Sequence, residues 1–289
     1  MTQPPEAQER PALISLIASR QGMILALCIV ALSALAWWWL WRMAYPAAPP
    51  MAPMPGMPEM DMGGMEMPGT DMAGMDMSGM MAGAPVQPWT LDYLGSTALM
   101  WAIMMVAMML PSAAPMILLH DVFSRRHGLG SGATLLFALT YLLLWIAFAV
   151  LAAVAQAALV ASGLVSSASL ALGNERIAGA LLVAAGLFEA SPLKRACLSW
   201  CQSPVAFLTR YWRRGADGAL VMGLRHGAYC IGCCGLLMLL LFVGGVMNLA
   251  WVGILALIVL AEKFTPPGWY VDRVLGVLLL LAGGVLILR

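Results

Sequence analysis

Five of the six cysteines in this chain fall in two short runs, Lys194–Cys201 (KRACLSWC) and Arg225–Gly235 (RHGAYCIGCCG). On a helix, His226, Cys230, Cys233 and Cys234 project within a sector of roughly 100°. Cys197 and Cys201 are also one turn apart. Thiolate and imidazole donors converging from two helices suit Cu(I), Zn(II) or a related soft metal, because these ions favour soft or borderline ligands. Cys230, Cys233, Cys234 and Cys197 rank first as donors, followed by Cys201 and His226. Lys194 and Arg195 stand beside Cys197, where their charge would favour its thiolate. Glycines 223, 227, 232 and 235 thin the second run and would let the Cys197–Cys201 segment approach it closely.

Another soft-donor set lies nearer the N-terminus. Twelve methionines fall between Met51 and Met81, in a stretch otherwise rich in Pro and Gly. Met57, Met60, Met62, Met65, Met67, Met72, Met75, Met77 and Met80 recur beside Asp and Glu, as in Gly-Met-Glu-Met at 64–67 and Gly-Met-Asp-Met at 74–77. Thioether sulfur is uncharged and prefers monovalent soft ions. The loop lacks histidine, which argues against Cu(II). Its composition predicts disorder, and capture of a metal is the role that explains its methionines.

The elements that position these donors are apolar helices. The chain is 62% hydrophobic and 10% charged, more apolar than a soluble domain of this length requires. We expect an all-α, polytopic membrane bundle of about seven transmembrane helices with its N-terminus inside. Residues 1–21 form a cytoplasmic tail and 22–41 a first helix closed by an interfacial tryptophan cluster. Residues 42–89 are the Met-rich loop, and 90–289 a six-helix metal-binding domain. The six apolar runs are about Gly95–Leu119, Ala133–Ala161, Ile177–Ala190, Gly218–Val246, Leu249–Glu262 and Val271–Leu288. Eleven Lys and Arg residues fall on the inner side in this arrangement against three outside, which sets the orientation. The expected setting is a bacterial inner membrane, crossed several times, with the methionine loop periplasmic.

Charges inside such a bundle need partners or a task. Glu189, Arg225, Glu262 and Lys263 sit at or in the apolar runs near the inner interface, and Glu189 with Arg225 is the pairing to test. Met104 and Met108 share a strip of the second helix with Met100, where they could relay a soft cation or simply fill the core. Pro111 and Pro115 should bend that helix near His120 and free backbone carbonyls.

Taken together, the runs at 101–116 (WAIMMVAMMLPSAAPM), 191–204 (SPLKRACLSWCQSP) and 223–251, with Glu262-Lys263, resemble a bacterial family of predicted metal-binding integral membrane proteins, domain of unknown function 2182. The resemblance covers about residues 90–288. That family often has an aromatic residue after the paired cysteines, and here the position is Gly235. The resemblance implies metal binding without an established transport or enzymatic activity. The Met-rich loop is similar in composition to copper-resistance segments.

The reading that follows is a membrane protein that binds and moves or delivers Cu(I), with zinc as the other candidate ion. Its partners would be the lipid bilayer, the metal, and a copper chaperone or membrane metalloenzyme. Nothing suggests nucleic acid, and no phosphate-binding loop is present to drive an ATP-dependent pump. No catalytic residue is assigned, and an enzymatic role is the less favoured one. Two alternatives carry distinct expectations: a thiol–disulfide oxidoreductase using Cys230 and Cys233, and an assembly or scaffold subunit of a membrane metalloenzyme.

Overall fold

The computed structural model describes residues 19–45, 87–166, 170–265 and 271–289. The methionines from Met57 to Met80, and most of the tail before the first helix, lie outside them. The described chain is helical throughout, with an isolated bridge between Val165 and Leu172 and no strand.

Helix α1, Arg20–Ala44, starts at Ser19, whose hydroxyl accepts the Gly22 amide at 3.0 Å. It buries Ile29, Ser33, Ala36 and Leu40, one narrow face, against α2, Leu91–Arg126. Leu27, Val30, Leu35 and Trp38 on its other faces are exposed. Such an apolar outer surface is what a helix turned toward lipid presents.

Helix α2 is the hub. Apolar residues surround it, and it is buried from Met100 to Leu119 on most faces, with α1 and α3, Ser131–Ala161, packed along it. A helix hydrophobic all round belongs in the middle. It runs unbroken through Pro111 and Pro115.

Helix α4, Glu175–Glu189, is capped by Asn174, whose side chain accepts the amides of Arg176 and Ile177. It stops at Glu189, and Ser191 with Pro192 starts α5, Pro192–Gln202, at a bend of 65°. The Ser191 hydroxyl caps the new helix and proline fits its first turn, so the break is written locally. After α6, Pro204–Tyr211, come α7, Gly215–Leu239, and the single turn α8, Leu241–Gly244. Two apolar helices close the chain, α9 at Leu249–Phe264 and α10 at Val271–Leu288.

Among the described residues, five helices are long and apolar enough to cross a membrane: α1, α2, α3, α7 continued through α8, and α10. Counting the bent α4–α5 pair as one span makes six. The described residues therefore bear out several spans of the expected bundle without confirming a count of seven. The runs expected at Ile177–Ala190 and Leu249–Glu262 fold as α4 with 15 residues and α9 with 16, each short for a span. Helix α4 ends with its cap at Ala190, just ahead of Ser191 and Pro192, and α9 with its cap at Thr265.

Helices α4 and α10 pack backbone to backbone. A Cβ built on Gly283 would meet the Gly179 carbonyl oxygen at 2.6 Å, and one on Gly179 would meet the Gly283 oxygen at 2.8 Å. Gly284, one residue on, faces open space. We expect Gly283→Leu to cost about 1–3 kcal/mol by forcing the helices apart, and Gly284→Leu to leave stability nearly unchanged. The thermal midpoints of the two purified variants check this; equal midpoints would refute the contact.

Candidate metal centre

Helix α7 carries Cys230, Cys233 and Cys234, all fully buried, and α5 brings Cys197 and Cys201 against it. The two helices meet at glycine: a Cβ at Gly232 would lie 2.9 Å from Cys197 Sγ. The other glycines serve a different neighbour. Gly223 and Gly227 face Phe137, Thr140 and Leu144 of α3, so the thinned side of α7 is divided between α3 and α5.

Sulfur geometry separates the donors. Cys233 Sγ lies 3.9 Å from Cys201 Sγ and 3.2 Å from Cys234 Sγ, and its thiol donates to the Cys230 carbonyl at 3.3 Å. Two sulfurs bound to one ion at about 2.3 Å each stand about 3.8–4.6 Å apart for bond angles from tetrahedral to linear. Cys201 and Cys233 meet that spacing across the α5–α7 interface. Cys233 and Cys234 are closer than one ion would hold them. Among the described residues, no group of three or more His, Cys, Asp or Glu gathers in a way that holds a metal ion. The arrangement offers a pair of thiols rather than a closed four-donor shell.

Cys230 is engaged otherwise. Its sulfur is 2.9 Å from Lys263 Nζ and 3.2 Å from the Tyr141 hydroxyl. Lys263 also donates to Ser112 Oγ at 2.8 Å, and Ser112 and Tyr141 both donate to the Met109 carbonyl. Helices α3, α7 and α9 therefore meet at one sulfur, and α2 is tied in through Ser112 and the Met109 carbonyl. Three of these contacts lie at or near the turn of α2 that holds Pro111, where carbonyls were expected to be available.

Beside this lies a buried ion triad. Lys194 Nζ donates to both oxygens of Glu262, at 2.7 and 2.8 Å, and to Glu189. All three side chains are buried. The Gln202 amide donates to the Glu262 carbonyl at 2.7 Å and adds a second tie between α5 and α9.

Three expectations change. Glu189 does not pair with Arg225: it binds Lys194, and the Arg225 guanidinium lies over the Tyr211 ring, 4.4 Å from its centre. Lys194 is committed to two carboxylates and is not the cation that meets a thiol; Lys263 is, at Cys230. His226 is ringed by aromatic groups, one turn from Cys230 on α7. Phe137, Tyr141 and Phe207 surround it with centroids 5.4–6.0 Å away, and its buried Nδ1 has no hydrogen-bond partner among the described residues.

His120 stacks on Phe137 at 4.6 Å, with Nδ1 3.1 Å from the Thr134 hydroxyl. Met104 and Met108 are buried in the core of α2. Tyr141 and Ser112 were missed from sequence. The signal available was a hydroxyl inside an apolar run, which needs a partner in a bundle without water.

No curated protein and no solved structure matches this chain. A family described as PpoB2, copper chaperone, matches residues 98–286, a span that takes in every helix of the thiol cluster and the ion triad. By that match, the chain belongs to the PpoB2 copper-chaperone family.

Proposed function

We propose that this protein holds Cu(I) inside a membrane bundle and hands it to a copper-requiring partner, with Cys201 and Cys233 as the holding pair. The observation that carries the reading is the 3.9 Å approach of these thiols from two helices in a half-buried, sulfur-rich contact. Copper is cargo here, not a resident cofactor. A pair of thiolates suits an ion that accepts two donors and is poor for Zn(II), which favours four. Cys234 and Cys230, next in line along α7, are the sulfurs onto which the ion would move. His226 and Cys197 stand further back in this scheme.

The membrane setting is proposed as the inner membrane of a bacterium, crossed several times with the N-terminus inside. The methionines from Met57 to Met80 then capture Cu(I) on the periplasmic side, as thioethers do without a proton to release. Buried Met104 and Met108 on α2, and His120 nearer its inner end, line the axis of the bundle. The recipient is a soluble copper chaperone or a membrane metalloenzyme under assembly. This membership in a chaperone family favours delivery over bulk pumping.

Burial speaks against the oxidoreductase reading. Reactive dithiols are partly exposed so that a substrate can reach them, whereas Cys230 and Cys233 are fully enclosed.

Copper bound to the purified full chain, loaded with Cu(I) under reducing conditions and dialysed, tests the reading. The parent is expected to retain copper and the Cys201→Ser, Cys233→Ser double variant to retain less than about a tenth of it, consistent with loss of both donors. Removing Met51–Met81 should slow loading without lowering the final content. A double variant that holds as much copper as the parent overturns the proposal.

A further inference from the structure

Arg225 is a charge set well inside an apolar helix. It lies on α7, which with α8 is long and apolar enough to cross a membrane, about 15 Å along from Gly215. It is nevertheless exposed, and among the described residues no carboxylate is within ion-pair distance of it. Helical side chains lean toward the start of their helix. The guanidinium accordingly reaches back to the Tyr211 ring, 4.4 Å from its centre.

That ring belongs to a corner built by three helices. Trp200 of α5, Tyr211 of α6 and Tyr229 of α7 cluster with ring centres 5.2–6.5 Å apart. The Tyr211 and Tyr229 hydroxyls are 3.2 Å from each other, and the charges of Arg210 and Arg225 both reach Tyr211. Arg210 is exposed, as are Arg213 and Arg214 just after it. From Ser203 to Leu240 the only acidic residue is Asp217, two turns before Arg225. Tyrosine and tryptophan gather at the membrane–water boundary, the level of lipid phosphates.

The surface beside the charge is apolar. Leu224 and Ala228, on the strip of α7 next to Arg225 and running deeper along the helix, are exposed. An occupant of this corner therefore meets guanidinium and hydroxyl groups at one end and bare hydrocarbon at the other. Phosphate fits the fork of arginine donors, and an acyl chain covers the apolar strip. An acidic protein surface would satisfy the arginines and leave that strip uncovered.

We propose that the corner of α5, α6 and α7 binds an anionic phospholipid, its phosphate held by Arg210 and Arg225 with the Tyr211 hydroxyl beside it. The proposal rests on the membrane setting given above and is independent of the copper reading. One ring comes from each helix, so a bound headgroup ties α5 and α6 to α7 and stabilises the bundle.

The full chain, purified in a nonionic detergent, is titrated with phosphatidylglycerol and with phosphatidylcholine of the same acyl chains. Native mass spectrometry counts bound lipid, and thermal unfolding reads stabilisation. Phosphatidylglycerol is expected to bind at least about tenfold more tightly, since each arginine near an anionic headgroup contributes about fivefold. Arg210→Gln with Arg225→Gln should bring the two lipids within about threefold of each other. Arg20→Gln, which removes an exposed arginine at the start of α1, should keep the parent's preference.

Equal binding of the two lipids to the parent overturns the proposal. So does loss of the preference in Arg20→Gln, which would mark diffuse positive charge rather than a site. Glycerol phosphate or a glutamate-rich peptide that raises the thermal midpoint as much as the lipid overturns it in favour of a soluble anion or an acidic partner. A chain released from membranes by alkaline carbonate fails the membrane setting itself.

Discussion

Lys194→Met is expected to abolish accumulation of folded protein, or to lower its thermal midpoint by more than any single cysteine change. Lys194 is completely buried and holds Glu189 and Glu262 together. Its removal leaves two carboxylates side by side in a space without water. Breaking a buried pair in this way costs about 3–5 kcal/mol, a large part of the roughly 5–15 kcal/mol that keeps a typical protein folded. The triad joins α4, α5 and α9, so its loss also frees the helix that carries Cys201. Neutralising the whole set, Lys194→Met with Glu189→Gln and Glu262→Gln, should recover much of the stability, because no unpaired charge remains. Folded yield by size-exclusion chromatography and thermal unfolding in detergent read both effects. A Lys194→Met protein as stable as the parent would show that the triad is not a structural clamp.

The same triad shows where sequence reasoning reaches and where it stops. That Glu189, Glu262 and Lys263 would sit inside a bundle follows from charges in apolar runs. Which cation each would meet does not, since this depends on the 65° turn between α4 and α5. That turn carries Lys194 back over Glu189, and Arg225 is left to stack on Tyr211. Helical spacing likewise gathers Cys230, Cys233 and Cys234 on one side of α7, and all three are buried there. Spacing cannot say how α5 rotates against that side, and rotation determines whether Cys197 or Cys201 meets Cys233. His226 shares the sector of the cysteines, but its ring is drawn into the aromatic cluster of Phe137, Tyr141 and Phe207. Periodicity identifies faces, whereas tertiary contacts choose among the groups on a face.

Within α5, that choice gives the sharpest contrast in copper binding. Cys201→Ser and Cys233→Ser, made singly, are each expected to weaken Cu(I) binding by about 100-fold or more, since altering even a group behind a ligand costs about 10–100-fold. Cys197→Ser should stay within about threefold of the parent, the margin of a packing change that touches no donor. The two cysteines of α5 are one turn apart and both half-buried, so composition and exposure do not separate them. Contact does. Cys201 Sγ faces Cys233 Sγ at 3.9 Å, whereas Cys197 Sγ packs on the bare backbone of Gly232. Serine is nearly the size of cysteine and can fill that place. Cys234 is a poor substitute for Cys201, because its sulfur is 3.2 Å from Cys233, too close to share one ion without rearrangement. Competition with a Cu(I) chelator of known affinity measures all three variants on one scale. If Cys197→Ser weakens binding as much as Cys201→Ser, copper is held one turn nearer the start of α5, and the proposed pair is wrong.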